Sequence, residues 1–275
     1  MGNNIRKSIA TVTLNGSLTE KLDAAARSGF DGIELMRYDI GTYSPREVKL
    51  MADDRDIKID VLQPFREMEG IPSEHHVKNL QELNGTFDLM SDLGAELMLI
   101  CSNASPSAID DDTLSMEQLS EIAEKASSYG IKIGFEALSW GTFINRDFQA
   151  AALIKRASHQ SLGIVLDSFH SLAPNLDKRF ELAPDIPIFY VQLSDAPVVD
   201  EIGLLEWSRH YRCLPGRGKL PLDDFVQLIH SRGYRGTYSI EIFSDYLKTV
   251  RSEVIAFEAM STLQNFEHLL RTELD

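Results

Sequence analysis

The sequence predicts an α/β fold, a single (β/α)₈ barrel that occupies residues 1–275 as one domain. Short apolar runs alternate with segments of helical spacing along the chain. The runs are β-branched and nearly continuous in apolar character, which is typical of parallel strands buried on both faces. A glycine separates helix from strand in SGFDGIEL (28–35) and in SYGIKIGFE (128–136). An open doubly wound sheet is the alternative, but no glycine-rich dinucleotide fingerprint follows the first run.

Eight apolar runs are the predicted strands. They span residues 8–13, 32–35, 59–65, 97–101, 131–138, 162–169, 189–195 and 237–243. Eight strands joined by helices in 275 residues match the usual size of a (β/α)₈ barrel. The strands are therefore expected to be parallel and to close on themselves.

Helical spacing fills the intervals between the runs. Ser17 or Thr19 is the predicted N-cap of the first helix, because both residue types accept hydrogen bonds from the first turn. Later apolar stripes stop at a glycine, as at Gly94, where a helix can end in a left-handed residue. An eighth and last helix is predicted from about residue 251 to residue 271.

The composition excludes two classes of partner. Acidic side chains number 42 and basic side chains 27, which gives a formal net charge of −15. Such a surface repels the phosphates of nucleic acids and anionic lipid headgroups.

No run of about 18 apolar residues is present, so we expect no membrane span. No signal peptide is evident, and the two cysteines are far apart, so we expect a cytoplasmic protein with free thiols, in which Cys101 is a small buried side chain.

Polar residues near the ends of four successive predicted strands are the strongest functional signal. They are Glu136, Asp167, Gln192 and Glu241. In this fold the active site lies at the carboxyl ends of the strands. Any one of these residues, taken alone, is more often explained by a salt bridge or a strand cap. Three converging carboxylates, however, require a compensating cation. Four oxygen ligands favour Mg²⁺ or Mn²⁺ over Zn²⁺.

Two other segments supply candidates for the chemistry. His170 lies just past the sixth predicted strand, and its type predicts a general acid or base; the alternative is a histidine packed in a loop. The third strand ends in QPFRE, which places Gln63 and Arg66 at the barrel mouth as candidate substrate contacts. His75 and His76 begin a helix, and we expect both to be exposed to solvent.

The segment EWSRHYRCLPGRG (206–218) concentrates positive charge in an otherwise acidic protein. Its candidate site residues are Ser208, Arg209, His210 and Arg212. Arginines at this end of the barrel predict a small anionic substrate, most simply a carboxylate held by a guanidinium group. Trp207 is either an anchor for this loop or a wall of the pocket.

The strand-end residues and the motifs QPFR, EALSWG, DSFH and EWSRHYRCLPGRG carry a resemblance to known proteins. The pattern resembles the xylose isomerase-like barrels, a superfamily of sugar phosphate isomerases and epimerases. Within that superfamily it is most similar to the bacterial 3-dehydroshikimate dehydratases. The segments that carry the resemblance are distributed over nearly the whole chain.

The resemblance implies one bound divalent metal ion, Mg²⁺ or Mn²⁺. The implied ligands are Glu136, Asp167, Gln192 and Glu241. Gln192 stands where many relatives have histidine. The implied catalytic residues are His170, Ser208 and Arg212, and Arg66 is the implied substrate contact. Gln63, Arg209 and His210 are further predicted substrate contacts, from their place at the barrel mouth and in the basic segment.

The resemblance also implies an activity, the dehydration of 3-dehydroshikimate to protocatechuate in quinate and shikimate catabolism. His170 is the predicted base, and Glu136 or Glu241 is the alternative base. A ketose epimerase or isomerase with the same metal site is the alternative function. An apurinic endonuclease fits poorly with the acidic charge, and a metal-free sensor barrel fits poorly with four candidate ligands.

Two expectations about assembly follow from the same resemblance. Barrels of this group often associate, so a homo-oligomer is compatible with it. Some relatives continue into a second domain that resembles hydroxyphenylpyruvate dioxygenase. Because this sequence ends at Asp275, the barrel is expected without that appended domain.

Overall fold

The computed structural model describes residues 5–176, 178–199 and 201–272, and it contains a closed barrel of eight parallel strands in chain order. The strands are β1 (Arg6–Ala10), β2 (Gly32–Met36), β3 (Lys58–Phe65), β4 (Leu97–Cys101), β5 (Lys132–Glu136), β6 (Leu162–Asp167), β7 (Ile188–Leu193) and β8 (Thr237–Ile240). Pairing of β1 with β8, with Ser8 opposite Ser239, closes the barrel. The predicted fold class is confirmed.

Helices surround the barrel. They are α1 (Leu18–Arg27), α2 (Pro45–Asp53), α3 (Ser73–Leu93), α4 (Asp112–Ser127), α5 (Asp147–Ala157), α6 (Ser168–Leu172), α7 (Leu204–His210), α8 (Leu222–Ser231) and α9 (Ser252–Thr272). The described part of the chain thus has one helix more than predicted, because α7 forms within the segment expected to be a loop. No helix in the described ranges is long and apolar enough to cross a membrane.

Five of the eight predicted runs extend past the carboxyl end of their strand, those at 8–13, 131–138, 162–169, 189–195 and 237–243. Residues 11–13 form a 3₁₀ turn, so β1 begins and ends earlier than the predicted run. The run predicted at 237–243 forms a ladder only to Ile240, and Glu241 is the first residue beyond β8. In each of these cases the predicted run continues past the last ladder residue because the residues that follow are also buried.

Local hydrogen bonds explain where the first two helices begin. Ser17 is the N-cap of α1, and it exchanges hydrogen bonds with Glu20 in a capping box. Of the two predicted caps, Ser17 is therefore confirmed and Thr19 is wrong. Ser44 and Glu47 form the same arrangement at α2, where Pro45 occupies the first helical position. Gly94 ends α3 with a φ of 71°, as its left-handed geometry predicts.

The barrel interior is tightly packed beneath the carboxyl ends of the strands. Leu99, Val165 and Tyr190 form a small buried cluster there. Val165 and Tyr190 lie two residues before Asp167 and Gln192, and Leu99 lies two residues before Cys101, so alternation along each strand directs both members of a pair to the same face. A Cβ on Gly134 would lie 2.5 Å from Val165 Cγ2, which explains why a glycine occurs two residues before Glu136.

The exposure predicted for His76 is wrong. His75 is exposed, but His76 is only 6% exposed, and its Nε2 lies 2.9 Å from Glu121 Oε2 on α4. Packing of α3 against α4 covers this side chain, and the local sequence pattern carries no information about that neighbour.

Candidate active site

The four predicted strand-end residues all lie buried at the carboxyl end of the barrel. Glu136 ends β5, Asp167 ends β6, Gln192 lies in β7 and Glu241 follows β8, and each is at most 4% exposed. Asp167 pairs with Gln192 in the strand register. Burial, followed by repulsion from Asp167 and Glu241, raises the pKa of Glu136 well above its usual value. Burial and Asp167 together raise the pKa of Glu241 to about 7.

Glu34 on β2 is a fourth buried carboxylate in this group, and the sequence analysis missed it. Its Oε2 accepts hydrogen bonds from the amide groups of Gln63 and Gln192, both at 2.7 Å. The Gln63 amide also donates to Glu241 Oε1 at 3.0 Å. Burial and repulsion from Glu241 raise the pKa of Glu34 well above its usual value. The available signal was an acidic residue inside the apolar run GIELM, the same signal that identified Glu136.

Arg212 is the buried cation among these carboxylates. It is 1% exposed, and its Nη1 donates to Asp167 Oδ2 at 2.6 Å and lies 3.5 Å from Glu241 Oε2. Its Nε and Nη2 donate to Ser208 Oγ at 3.0 and 2.7 Å. Ser208 lies in α7, and the spacing of four residues brings its hydroxyl onto the guanidinium group. Ser208 and Arg212 therefore act together as one unit.

Asp167 has one carboxylate oxygen for each of two tasks. Its Oδ1 accepts from the backbone N–H groups of Phe169 and His170, which caps the short helix α6. Its Oδ2 accepts from Arg212. Burial opposes ionisation of this group, but Arg212 outweighs that effect, so the pKa of Asp167 is lowered.

His170 is held at the centre of the site. Its Nε2 lies 3.1 Å from Arg212 Nη2, 3.8 Å from Glu136 Oε1 and 4.0 Å from Asp167 Oδ2. The ring packs edge-on against Trp140, with centroids 4.7 Å apart. Burial lowers the pKa of His170 to about 3, and the neighbouring arginines lower it against the opposing charge of Asp167. The imidazole is therefore neutral at physiological pH.

These residues fit a divalent cation. Glu136, Asp167 and His170 offer ligand atoms that all lie within 4.8 Å of one another. Gln192 Oε1 and Glu34 Oε1 are buried, and neither has a hydrogen-bond partner among the described residues. Buried oxygen atoms without a partner beside like-charged carboxylates are what a hard cation would satisfy. The three residues with close ligand atoms therefore include His170, which the sequence analysis predicted as a base and not as a ligand. Gln192 and Glu241, which were predicted as ligands, are not among these three.

The arginines predicted as substrate contacts, Arg209 and Arg66, lie in different surroundings. Arg209 lies over Phe243 and Trp140, with its guanidinium carbon 4.8 and 5.8 Å from the ring centroids. Burial, together with the charges of Arg66 and Arg212, lowers the pKa of Arg209, so these arginines are within electrostatic reach of one another. Arg66 is exposed at the end of β3.

His210 lies apart from the carboxylates. It is exposed, and its Nδ1 lies 2.8 Å from Asp245 Oδ2. The adjacent Trp207 is buried, donates to Pro197 O at 2.9 Å and packs on Phe169. Of the two alternatives considered for Trp207, these contacts support a loop anchor.

Cys101 is buried, as predicted, but it also contacts the site. Its Sγ donates to Glu136 Oε2 at 3.3 Å. Burial and the charge of Glu136 raise the pKa of this thiol well above its usual value. Cys101 therefore remains a protonated donor to a candidate metal ligand.

Comparison with known proteins agrees with this architecture. Residues 22–266 match the family model described as xylose isomerase-like TIM barrel. The 3-dehydroshikimate dehydratases of Pseudomonas putida and Pseudomonas aeruginosa are 41% and 40% identical to this protein over 98% of the chain. This chain spans 43% of the length of each.

Among the solved structures that are similar over nearly the whole chain, one also has high sequence identity. It is a fusion protein of a xylose isomerase-like TIM barrel and a 4-hydroxyphenylpyruvate dioxygenase, with a TM-score of 0.91 and 40% identity. The similarity covers 98% of this chain and 44% of that one. The family match, the closed barrel and the buried strand-end residues agree, and the chain belongs to the xylose isomerase-like TIM barrel family.

Proposed function

We propose that this barrel catalyses the dehydration of 3-dehydroshikimate to protocatechuate. The observation that carries the proposal is the 41% identity to the P. putida dehydratase, which extends over 98% of this chain. The chain spans less than half of that relative, so the relative's name does not by itself assign the activity to the barrel. The geometry of the site supports the assignment in two respects, the substrate-binding charges and the base.

The arginines differ in their capacity to bind a substrate carboxylate. The N–H groups of Arg212 are engaged by Ser208, Asp167 and His170. Within the described ranges, Arg66 and Arg209 have no hydrogen bond or ion pair, so their N–H donors are free for a ligand. We therefore propose Arg66 and Arg209 as the carboxylate contacts, and Arg212 as a residue that orients Asp167 and His170.

The base must be neutral before the reaction, so that a ring nitrogen has a lone pair for the substrate proton. His170 meets this condition because burial keeps its imidazole unprotonated. In the proposed reaction, Nε2 exchanges its hydrogen bond from Arg212 Nη2 for the proton of the ring carbon next to the ketone. The hydroxyl on the following carbon then leaves with that proton as water. A proton moves from the ring methylene to the ketone oxygen, which gives the aromatic product, and no oxidant is needed.

We propose Mg²⁺ or Mn²⁺ as the ion of the site, because most of the available donors are oxygen atoms. When bound, such an ion supplies a Lewis acid that stabilises negative charge on the ketone oxygen. Glu136, Asp167, Gln192 and Glu241 would hold it. His170 then remains free to accept the substrate proton.

The experiment measures protocatechuate by its absorbance after the purified protein is incubated with 3-dehydroshikimate and Mg²⁺ or Mn²⁺. Product is expected with at least one of these ions. In Arg209→Ala, the loss of a charge-assisted contact should raise KM about tenfold or more. Arg46→Ala is the matched control, since the Arg46 side chain is 81% exposed and, among the residues that the structure describes, pairs only with Asp92. If neither Mg²⁺ nor Mn²⁺ gives product, or if the two variants have equal KM values, the proposal is contradicted.

A further inference from the structure

Arg66 lies between two parts of the chain that are buried. Phe65, which ends β3, is 5% exposed, and Met68 and Glu69 are 7% and 2% exposed. Arg66 and Glu67, between them, are exposed. Among the described residues Arg66 has no hydrogen bond or ion pair, so the place of its guanidinium group depends on the backbone that carries it.

The backbone next to Arg66 has a conformation that needs support from its surroundings. Glu67 has a φ of 53°, in the left-handed region. A non-glycine residue keeps such a conformation only where neighbouring contacts hold it. Asn79 on α3 donates to the Glu67 carbonyl oxygen at 3.0 Å. Glu69 supplies the contacts with the next loop of the barrel and with α4.

Glu69 joins the loop after β3 to the loop after β4 and to α4. Its Oε1 accepts the backbone N–H of Asn103 at 2.8 Å, and its Oε2 accepts the Ser115 hydroxyl at 2.7 Å. Its carbonyl oxygen accepts from Asn103 Nδ2 at 2.9 Å. The carbonyl oxygen of Gly70 accepts the N–H of Ile109 at 2.8 Å. Both carboxyl oxygens of Glu69 are therefore used, and they reach two different elements.

The partners of Glu69 are themselves held in place. Asn103 and Ser115 are each 3% exposed. Asn103 Oδ1 accepts the N–H of Ser105 at 2.9 Å, and its carbonyl oxygen accepts the N–H of Thr142, in the loop after β5, also at 2.9 Å. The hydrogen bonds of Glu69 thus attach the loop that carries Arg66 to two neighbouring loops at the same end of the barrel.

The charge of Arg66 acts on the site from this position. After burial, it is the next cause that lowers the pKa of Arg209, the other proposed carboxylate contact. We propose that Glu69 is a positioning residue that holds Arg66 at the mouth of the barrel for the substrate carboxylate. Its effect on substrate binding rests on the proposed function. The hydrogen bonds between the loops do not depend on that function.

The test is a double-mutant cycle on the KM for 3-dehydroshikimate. Glu69→Ala should raise KM about three- to tenfold with kcat nearly unchanged, because a misplaced Arg66 weakens binding and not the chemical step. In an Arg66→Ala background, Glu69→Ala should raise KM no further, since the side chain that it positions is gone. In an Arg209→Ala background, which is the matched control, the rise in KM should be at least as large as in the wild type.

Two milder variants separate this role from general loosening of the fold. In Glu69→Gln the amide oxygen can accept the Asn103 N–H, and the NH₂ group can donate to the Ser115 hydroxyl, so KM should stay close to the wild-type value. Ser115→Ala removes one of the two side-chain donors. It should raise KM about twofold, again only when Arg66 is present, and it decides the question if Glu69→Ala does not fold.

Hydrogen exchange gives a readout that does not depend on turnover. The backbone N–H of Asn103 should exchange faster in Glu69→Ala than in the wild type or in Glu69→Gln, because its acceptor is lost. Unchanged exchange at Asn103, unchanged KM, a loss confined to kcat, or an equal rise in KM with and without Arg66 would each overturn the role of Glu69. Faster exchange in a protein that forms no protocatechuate would instead reject the proposed function, and the binding role of Arg66 with it, but leave the link between the loops intact.

Discussion

The two ends of the barrel each contain an arginine paired with an acidic strand residue, but the balance of charge differs. At the amino end, Arg6 donates to Asp60 Oδ1 at 2.7 Å, in a pair that is partly exposed. At the carboxyl end, Arg212 is the buried cation beside Asp167 and Glu241, with Glu136 and Glu34 close by. The first arrangement pairs one cation with one carboxylate, although Asp60 Oδ2 has no hydrogen-bond partner among the described residues. The second is under-neutralised, which is typical of a functional site rather than of a stabilising pair.

The largest expected effect is on kcat and tests the proposed base, which lies at the carboxyl end of the barrel. Replacement of the proposed base in His170→Gln should lower kcat about 10²- to 10⁴-fold. Bound Mg²⁺ or Mn²⁺, measured on the purified variant, should stay near the wild-type level, because the proposed ligands remain. Loss of the ion together with activity would instead assign His170 as a ligand, consistent with its place among the close ligand atoms.

The next effect compares the two arginines directly. Removal of Arg212 in Arg212→Met leaves the buried carboxylates without their cation and should cost about 3–5 kcal/mol of unfolding free energy. Arg6→Met should cost about 1 kcal/mol or less, because that pair is partly exposed to solvent. Denaturant unfolding measures both values.

A divalent ion should act differently on these two variants. Added Mg²⁺ or Mn²⁺ should stabilise Arg212→Met more than Arg6→Met, because it replaces the lost positive charge among the carboxylates. Equal destabilisation of the two variants, or no selective response to the ion, would contradict the picture of an under-neutralised carboxyl end.

The third effect is a dependence of stability on pH. In the folded protein the pKa of Glu241 is raised from 4.5 to about 7, first by burial and then by Asp167. Between these pH values the unfolded chain loses the proton and the folded chain keeps it. The contribution of Glu241 to stability therefore decreases as pH rises from 4.5 to 7 and changes no further above that range. The contribution is at most about 3 kcal/mol.

The variant Glu241→Gln isolates this contribution from that of His170, whose lowered pKa acts in the opposite direction. Relative to Glu241→Gln, the chelator-treated wild type should lose stability as pH rises through this window. Parallel stability curves for the two proteins would show that Glu241 does not carry a raised pKa.

The site residues that the sequence predicted share one local signature. Glu136 and Asp167 each interrupt an apolar run at the same point of the β/α repeat, so the repeat itself predicts that they lie at one end of the barrel. Contacts that depend on closure of the barrel have no such signature. Glu34 meets Gln192 only because strands 158 residues apart in sequence face each other across the interior. The repeat therefore predicts a layer of residues, but not the pairs within it.

The role of Arg212 shows the same limit at the level of one side chain. An arginine in a polar, positively charged segment predicts a free guanidinium at the mouth of the barrel. Instead, α7 forms in that segment, and the hydroxyl of Ser208 lies one helical turn before the guanidinium group. The side chain is directed into the site and is fully engaged there. Arg209, the adjacent arginine with the same local composition, remains partly exposed.

The smallest expected effect concerns Glu34, which connects the two glutamines. Glu34 Oε2 accepts a hydrogen bond from the side-chain amide of Gln63 and another from that of Gln192. Both glutamines therefore direct their NH₂ groups at Glu34, and the Gln192 carbonyl oxygen has no hydrogen-bond partner among the described residues. Glu34→Gln offers the two amides a group that also donates, and it permits either glutamine to rotate by 180°. Affinity for Mg²⁺ or Mn²⁺ should fall about tenfold, as measured by calorimetry. Asp60→Asn, at the amino end, is the matched control and should leave that affinity unchanged. If the two variants bind the ion equally well, Glu34 does not orient Gln192, and the excess of carboxylates at this end would have to be explained without it.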